Sequence, residues 1–139
     1  MQLEIEITTQ PIEAHREPPQ EFAASAGALA EFSGIVRSEE AGRTIAALEY
    51  ETYQPMAERA IRQIVEDINR RHPCEWVRIV HRVGVIPVGK AAIRVVAAAR
   101  HRAEAFAMLT EFMDRLKQDV PIWKRRGLSH EEFRTRPKL

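Results

Sequence analysis

The densest group of chemically versatile side chains lies within residues 116–126. Lys117 falls in the last turn of a predicted helix, where the helix dipole favours a cation, and Lys124 follows a proline-containing turn. Arg125 and Arg126 add two more positive charges. Like charges held close together lower the pKa of a lysine, which makes its amine a usable base or nucleophile near neutral pH. The alternative is a set of ordinary surface lysines, which an extended chain could separate by up to ~23–25 Å.

Three further cations occupy positions that suit a phosphate ligand. His101 and Arg102 stand at the predicted start of the second long helix, where free backbone N–H groups and the helix dipole attract anions. An arginine adds a bidentate clamp at such a place. Arg37 follows a predicted strand, and it becomes a phosphate ligand if the polar loop after it folds over a pocket. The alternative for each is a capping or surface side chain, and the pair His81-Arg82, inside a predicted strand, is expected to be structural.

Other catalytic arrangements find no support in the sequence. The five histidines show no metal-ligand spacing, and the single cysteine cannot build a cysteine-rich site, so no metal is expected. Neither glycine-rich phosphate fingerprint is present. Ser33-Gly34 lacks the preceding glycine of a nucleophile elbow. Zinc, hydride-transfer and serine-hydrolase chemistry are therefore disfavoured, and no cofactor is expected.

Length and composition are those of an ordinary globular protein. The chain of 139 residues is 45% hydrophobic and 29% charged, and we expect one domain over residues 1–139. The net charge of +1 conceals an asymmetry, because residues 1–60 hold 11 acids and 4 bases whereas residues 100–139 hold 6 acids and 10 bases. A basic second half permits a pocket for an anionic ligand. No base-reading motif accompanies these cations, so nucleic acid is not an expected partner.

The expected location is the cytoplasm. Cys74 has no second cysteine to pair with, and a reducing compartment is the default for such a chain. Glu4 and Glu6 alternate with apolar residues at the N-terminus, a pattern unlike the basic and apolar blocks of a signal peptide. The apolar stretch at residues 95–99 is too short to span a bilayer, so no membrane association is expected.

Hydrophobic spacing predicts an α+β fold. Strands are predicted at 3–7, 28–36, 44–53, 76–83 and 91–98, long helices at 55–71 and 102–119, and short helices at 20–26 and after the capping box Ser129-x-x-Glu132. Pro121 ends the second long helix because the residue before a proline disfavours helical geometry. The sum is two amphipathic helices that cover one side of mostly antiparallel strands.

Five segments match a known family in their order and spacing. They are Gly27-Ala28 with Phe32-Ser33-Gly34-Ile35-Val36-Arg37; Leu48-Glu49-Tyr50-Glu51 with Tyr53 and Met56-Ala57; His81-Arg82-Val83-Gly84 with Val88-Gly89; His101-Arg102 with Ala105-Phe106; and Leu116-Lys117 with Pro121-Ile122-Trp123-Lys124. Each segment alone is a weak signal. Together, over nearly the whole chain, they resemble the large, catalytic subunit of molybdopterin synthase, the MoaE family.

The resemblance implies an α/β-hammerhead fold and a homodimer that forms the core of a heterotetramer. Each protomer would bind a small ubiquitin-like sulfur-carrier subunit whose Gly-Gly tail ends in a thiocarboxylate. Two sulfur transfers to cyclic pyranopterin monophosphate (precursor Z) would create the molybdopterin dithiolene. The catalytic lysines of the family fall on Lys117 and Lys124, and its anion-binding residues fall on Arg37, His101 and Arg102, with part of each site possible from the other protomer.

The sequence also departs from the family pattern. Arg126 stands where the family usually has an acid, and the tail at residues 127–139 is short and different. A reversed charge beside a catalytic lysine changes its pKa or removes a salt bridge. Two alternatives to the synthase hypothesis follow: a catalytically impaired paralogue that keeps the partner groove, and a basic module that binds RNA or another polyanion.

Overall fold

The computed structural model of the protein describes residues 1–13, 17–22 and 24–137. The strands are β1 Gln2–Thr8, β2 Ala28–Ile35, β3 Glu39–Glu40, β4 Arg43–Thr44, β5 Ala47–Thr52, β6 Trp76–Arg82, β7 Gly84–Pro87, β8 Ala91–Ala99 and β9 Ile122–Leu128. The helices are α1 Gln54–Arg71, α2 Arg102–Asp119 and α3 His130–Thr135. The two predicted long helices are confirmed to within one residue at each end.

A four-stranded sheet in the order β1-β6-β8-β2 carries the main core on one face. β1 runs parallel to β6, and the other neighbours are antiparallel, so the sheet is mixed. α1 and α2 cover the face with side chains at helical spacing, including Ile61, Ile68, Met108 and Phe112, each 0% exposed. Burying a side chain of this size stabilises the fold by about 1.5–3 kcal/mol. The predicted α+β class, with two amphipathic helices on one side of the strands, is confirmed.

A smaller antiparallel sheet, β7-β5-β9, was only partly predicted. The predicted strand at 44–53 is divided into β4 and β5, because the chain passes from one sheet to another at residues 45 and 46. The N–H of Ile45 still donates to Ser38 beside the hairpin, whereas the N–H of Ala46 donates to Leu128 of β9 and its carbonyl accepts from Val88, just after β7. Residues 84–87 were expected to be part of a connection, and residues 122–128 to follow a turn, yet both form strands. β9 escaped prediction because Lys124, Arg125 and Arg126 are all exposed and hide any alternation.

The short helix expected at 20–26 is wrong in extent. A single turn of 3-10 helix covers Gln20–Phe22, and the carbonyl of Phe22 then accepts from the N–H groups of Ser25 and Ala26. The chain turns back at once because Gly27 packs against the backbone of Arg100, where a Cβ would lie 2.4 Å from the carbonyl oxygen. Residue 23 lies outside the described residues. In the part of the chain that the structure describes, none of the helices has the length and apolar character that a membrane crossing needs.

Candidate active site

A hollow of about 520 Å³ lies where β9 meets the short β3–β4 hairpin, and we call it the hairpin hollow. Residues 37–42 and Lys124 line it. Arg37 is placed there by β2, which ends two residues earlier, and Lys124 by the pairing of β9 with β5. Two of the five predicted site residues, Arg37 and Lys124, are therefore brought together from positions far apart in the sequence.

Lys124 is held by a carboxylate that sequence reasoning missed. Its Nζ lies 3.2 Å from Oε1 and 3.5 Å from Oε2 of Glu40, and it donates to both oxygens. The charge of Glu40 also reaches Tyr50, whose pKa is raised by burial first and by this carboxylate second. The sequence feature that could have indicated this carboxylate is the acidic pair Glu39-Glu40, which lies in the polar loop directly after Arg37.

An aromatic pair supports this end of the site. The rings of Tyr50 and His81 meet edge-on with their centroids 5.3 Å apart. His81 is 4% exposed, and its Nδ1 donates to the carbonyl of Arg82 at 2.7 Å. Burial lowers the pKa of His81, which that hydrogen bond opposes only in part. A buried, hydrogen-bonded imidazole is consistent with the structural role expected for it.

A one-residue shift in register separates the cations of β9 onto two faces. Lys124 lies opposite Tyr50 and Arg126 opposite Glu49, so Arg125 is the extra residue. Cross-strand neighbours share a face of a sheet, whereas consecutive residues of one strand point to opposite faces. Lys124 therefore shares the face of Tyr50, and Arg126 shares the face of Glu49.

The cations that the sequence places after the proline turn each face a carboxylate in the structure. Arg126 Nε donates to Glu49 Oε1 at 3.0 Å, and Arg125 Nη1 lies 4.0 Å from Glu51 Oε2. With Lys124 paired to Glu40, each of the three cations on β9 has a carboxylate within ion-pair distance. The sequence showed the cations, but their partners come from strands about 75–85 residues earlier, which spacing alone does not reveal.

Lys117 stands apart from the hairpin hollow. It is exposed in the last turn of α2, as predicted, and it is not among the residues that line the hollow. The helix ends with the N–H of Val120 bonded to the carbonyl of Leu116, and Val120 is extended (φ −104°, ψ 130°). The proline at 121 thus ends α2 in the way the sequence predicted.

His101 and Arg102 line a second hollow of about 480 Å³ with residues 27, 28, 100 and 103, and we call it the helix-start hollow. His101 is the extended N-cap of α2 and makes no side-chain capping bond, so its ring is not used to close the helix. This hollow touches Ala28 at the start of β2, whereas the hairpin hollow follows the end of β2. Eight strand residues span roughly 23 Å, so one chain does not bring all the predicted anion ligands together.

Similarity to known proteins identifies the family to which this chain belongs. The model of the family described as MoaE protein matches residues 7–119. The molybdopterin synthase catalytic subunit of Staphylococcus carnosus is 37% identical over 122 residues, which is 88% of this chain and 81% of that protein. The chain belongs to the MoaE family, the catalytic subunits of molybdopterin synthase.

Solved structures agree with the MoaE assignment. Molybdopterin synthase from Staphylococcus aureus superposes with a TM-score of 0.74 at 33% identity, covering 86% of this chain and 87% of that one. A complex of subunits 1 and 2 of molybdopterin-converting factor from Helicobacter pylori shares the fold, with a TM-score of 0.66 at 20% identity over 94% of this chain and 90% of that one. The chain spans about half the length of the mammalian relatives that it also matches.

The structure explains how this MoaE chain accommodates an arginine at 126. Arg126 pairs with Glu49 of β5 and lies 4.0 Å from Glu132, the acid of the α3 capping box. Its charge is met on the face of the sheet that Lys124 does not share. The departure from the family pattern is therefore compensated locally and does not place a cation beside Lys124.

The described residues include no candidate metal centre. Across residues 1–13, 17–22 and 24–137, no group of three or more histidine, cysteine, aspartate or glutamate side chains is arranged to hold a metal ion. The single cysteine, Cys74, is buried, and burial raises the pKa of its thiol to about 11. A thiol that stays protonated is a poor nucleophile, so Cys74 has no place in the site.

Proposed function

We propose that this chain is the catalytic subunit of a cytoplasmic molybdopterin synthase. It would take sulfur from the C-terminal thiocarboxylate of a small ubiquitin-like subunit and transfer it to cyclic pyranopterin monophosphate. The observation that carries the proposal is membership of the MoaE family over most of the chain. The Helicobacter protein of the same fold, solved as a complex of two subunits, supports a partner of this kind.

The reaction gives each predicted site residue a task. Lys117 serves as the proton-transfer or nucleophilic group beside the thiocarboxylate carbon. Lys124 orients the pterin or stabilises the oxyanion that forms when the thiocarboxylate carbon is attacked and that collapses as sulfur leaves. Arg37, His101 and Arg102 bind the phosphate, since charge-assisted bonds from arginine suit its oxygens. Exposure of Lys117 and Lys124 supports these roles, because both amines are accessible to an incoming peptide end.

A second copy of the chain would complete the site. β2 is an edge strand of the four-stranded sheet, and it carries the exposed apolar side chains Leu29, Phe32 and Ile35. An edge strand with apolar side chains favours pairing with another strand. Two-fold antiparallel pairing of β2 with its copy would set the start of one strand beside the end of the other. The helix-start hollow of one protomer would then face the hairpin hollow of its partner.

Reconstitution tests the proposal. The chain is mixed with a thiocarboxylated small subunit and cyclic pyranopterin monophosphate, and molybdopterin is measured by chromatography with mass spectrometry. Product supports the synthase. Partner binding without product would favour a catalytically impaired scaffold. Neither binding nor product would contradict both, which leaves the basic polyanion-binding module as the remaining alternative.

Lys117→Ala is the decisive variant in this assay. Loss of a general acid or base costs ~10²–10⁴-fold in rate, and we expect turnover to fall by that amount while dimer formation and partner binding persist. Gln118→Ala changes the next exposed residue of the same helical turn and should keep turnover near the unaltered rate. Normal turnover by Lys117→Ala would remove Lys117 from the mechanism.

A further inference from the structure

The ion pair between Lys124 and Glu40 occupies the place where an anionic ligand would bind. Both oxygens of the Glu40 carboxylate lie within 3.5 Å of the lysine Nζ, as those of a bound carboxylate or phosphate would. Both side chains belong to the hairpin hollow, which also contains Arg37. The site thus already contains an anion, supplied by the chain itself.

The hairpin that carries Glu40 is a weakly anchored element. β3 and β4 form a separate two-stranded sheet with only two paired positions, Glu39 with Thr44 and Glu40 with Arg43. Its turn places Ala41 (φ 51°) and Gly42 (φ 77°) in the left-handed region, which an alanine adopts at a cost. Isolated two-stranded hairpins are marginally stable, and this one belongs to neither larger sheet, so its tip can shift away from β9 while the bond from Ile45 N–H to the carbonyl of Ser38 holds its base.

The charges of the hollow balance while the pair is formed. Arg37 and Lys124 supply two positive charges, and Glu39 and Glu40 supply two negative ones. A phosphate gains little from a neutral hollow, but it gains a full cation once Glu40 releases Lys124. The pair is exposed, at 51% for the lysine side chain and 31% for the glutamate, and exposed pairs are weak enough for a ligand to replace.

We propose that Glu40 is the internal counter-ion of Lys124 and leaves it when the anionic group of the ligand enters the hairpin hollow. This inference rests on the proposed function only in assigning the phosphate of the ligand to the hairpin hollow, through Arg37. The hairpin then acts as a strap that keeps the lysine in place between turnovers and opens in exchange for the ligand.

Binding of inorganic phosphate tests the exchange without any turnover. Titrations by calorimetry compare the unaltered protein with Glu40→Gln and Glu39→Gln. Both variants remove one negative charge from the same strand, so they share any general gain in affinity for anions. Glu40→Gln should bind phosphate more tightly than Glu39→Gln by about two- to fivefold, the range that an exposed ion pair supports.

A double-mutant cycle with Lys124→Ala locates the effect. In that background Glu40→Gln and Glu39→Gln should bind phosphate equally, because the lysine that Glu40 occupies is gone. Equal affinities of the two glutamine variants in the presence of Lys124, or no phosphate binding by any variant, would overturn the inference. Failure of the reconstituted enzyme to make molybdopterin would instead overturn the proposed function, so the two failures are distinguishable.

Discussion

At the residue scale, the position of each cation on β9 depends on strand register as much as on residue type. The extra residue at Arg125 turns Lys124 towards Tyr50 and Glu40, and it turns Arg126 towards Glu49. A sequence motif of consecutive cations therefore divides into the amine of Lys124 in the hairpin hollow and the guanidinium group of Arg126 on the opposite face. The chemical identity of these residues was predictable, but their division was not, because it depends on one bulge.

Restoring the acid of the family at position 126 should harm stability and not activity. Arg126→Glu would set a third carboxylate beside Glu49 and Glu132. We expect the free energy of unfolding to fall by about 0.5–1.5 kcal/mol, from a lost ion pair and a like-charge contact across the strands. Chemical denaturation measures the change, and turnover should stay within about twofold because Lys124 lies on the other face.

Arg125→Glu is the matched control for that variant. Its pair with Glu51 is longer, at 4.0 Å, and both side chains are more than half exposed, so the loss of stability should be smaller. A large rise in turnover in Arg126→Glu would contradict the account, since it would mean that the native arginine impairs the catalytic site.

At the scale of elements, long periodic segments were predictable and short paired ones were not. α1 and α2 were predictable because their apolar residues recur at helical spacing, and Pro121 marks the end of α2. β7 and β9 carry no such signal, because each is defined by its pairing with β5. Since Lys124 stands on β9, part of the candidate site rests on an element that local sequence does not reveal.

A surface network joins the two long helices and should make stability depend on acid. Glu111 of α2 accepts from Arg71 at 3.1 Å and contacts Nε2 of His72 at 3.2 Å. These contacts, the bond from Arg71 first, lower the pKa of Glu111 below its ordinary 4.5. The stabilisation is therefore complete above about pH 4.5 and is lost as the pH falls through the lower folded-state pKa.

Glu111→Gln should remove that dependence. Its free energy of unfolding should lie below that of the unaltered protein at pH 7, and the difference should shrink on going to pH 3, where the native carboxylate also loses its charge. Urea unfolding at the two pH values measures this. Glu58→Gln, an exposed residue of α1, should show no such convergence, and a constant difference for Glu111→Gln would refute the role of the network.

At the scale of the whole molecule, four of the five candidate site residues lie in two hollows at opposite ends of β2. Arg37 and Lys124 lie in one, and His101 and Arg102 lie in the other. The sequence predicted Arg37, His101 and Arg102 as anion ligands and Lys124 as a catalytic group, but within one chain the two hollows lie roughly 23 Å apart along β2, too far for a single phosphate to reach both. The proposed remedy is a second copy of the chain, and the residue pattern of one chain does not specify how its edge strand would pair with a copy.

A mixed dimer tests the shared site most directly. One protomer carries Arg37→Ala with Lys124→Ala, its partner carries His101→Ala with Arg102→Ala, and two affinity tags isolate the heterodimer for the reconstitution assay. Each parent homodimer should be inactive. The heterodimer keeps one intact composite site of two, so it should make molybdopterin at about half the unaltered rate. A heterodimer as inactive as its parents, beside a fully active unaltered dimer, would contradict the composite site.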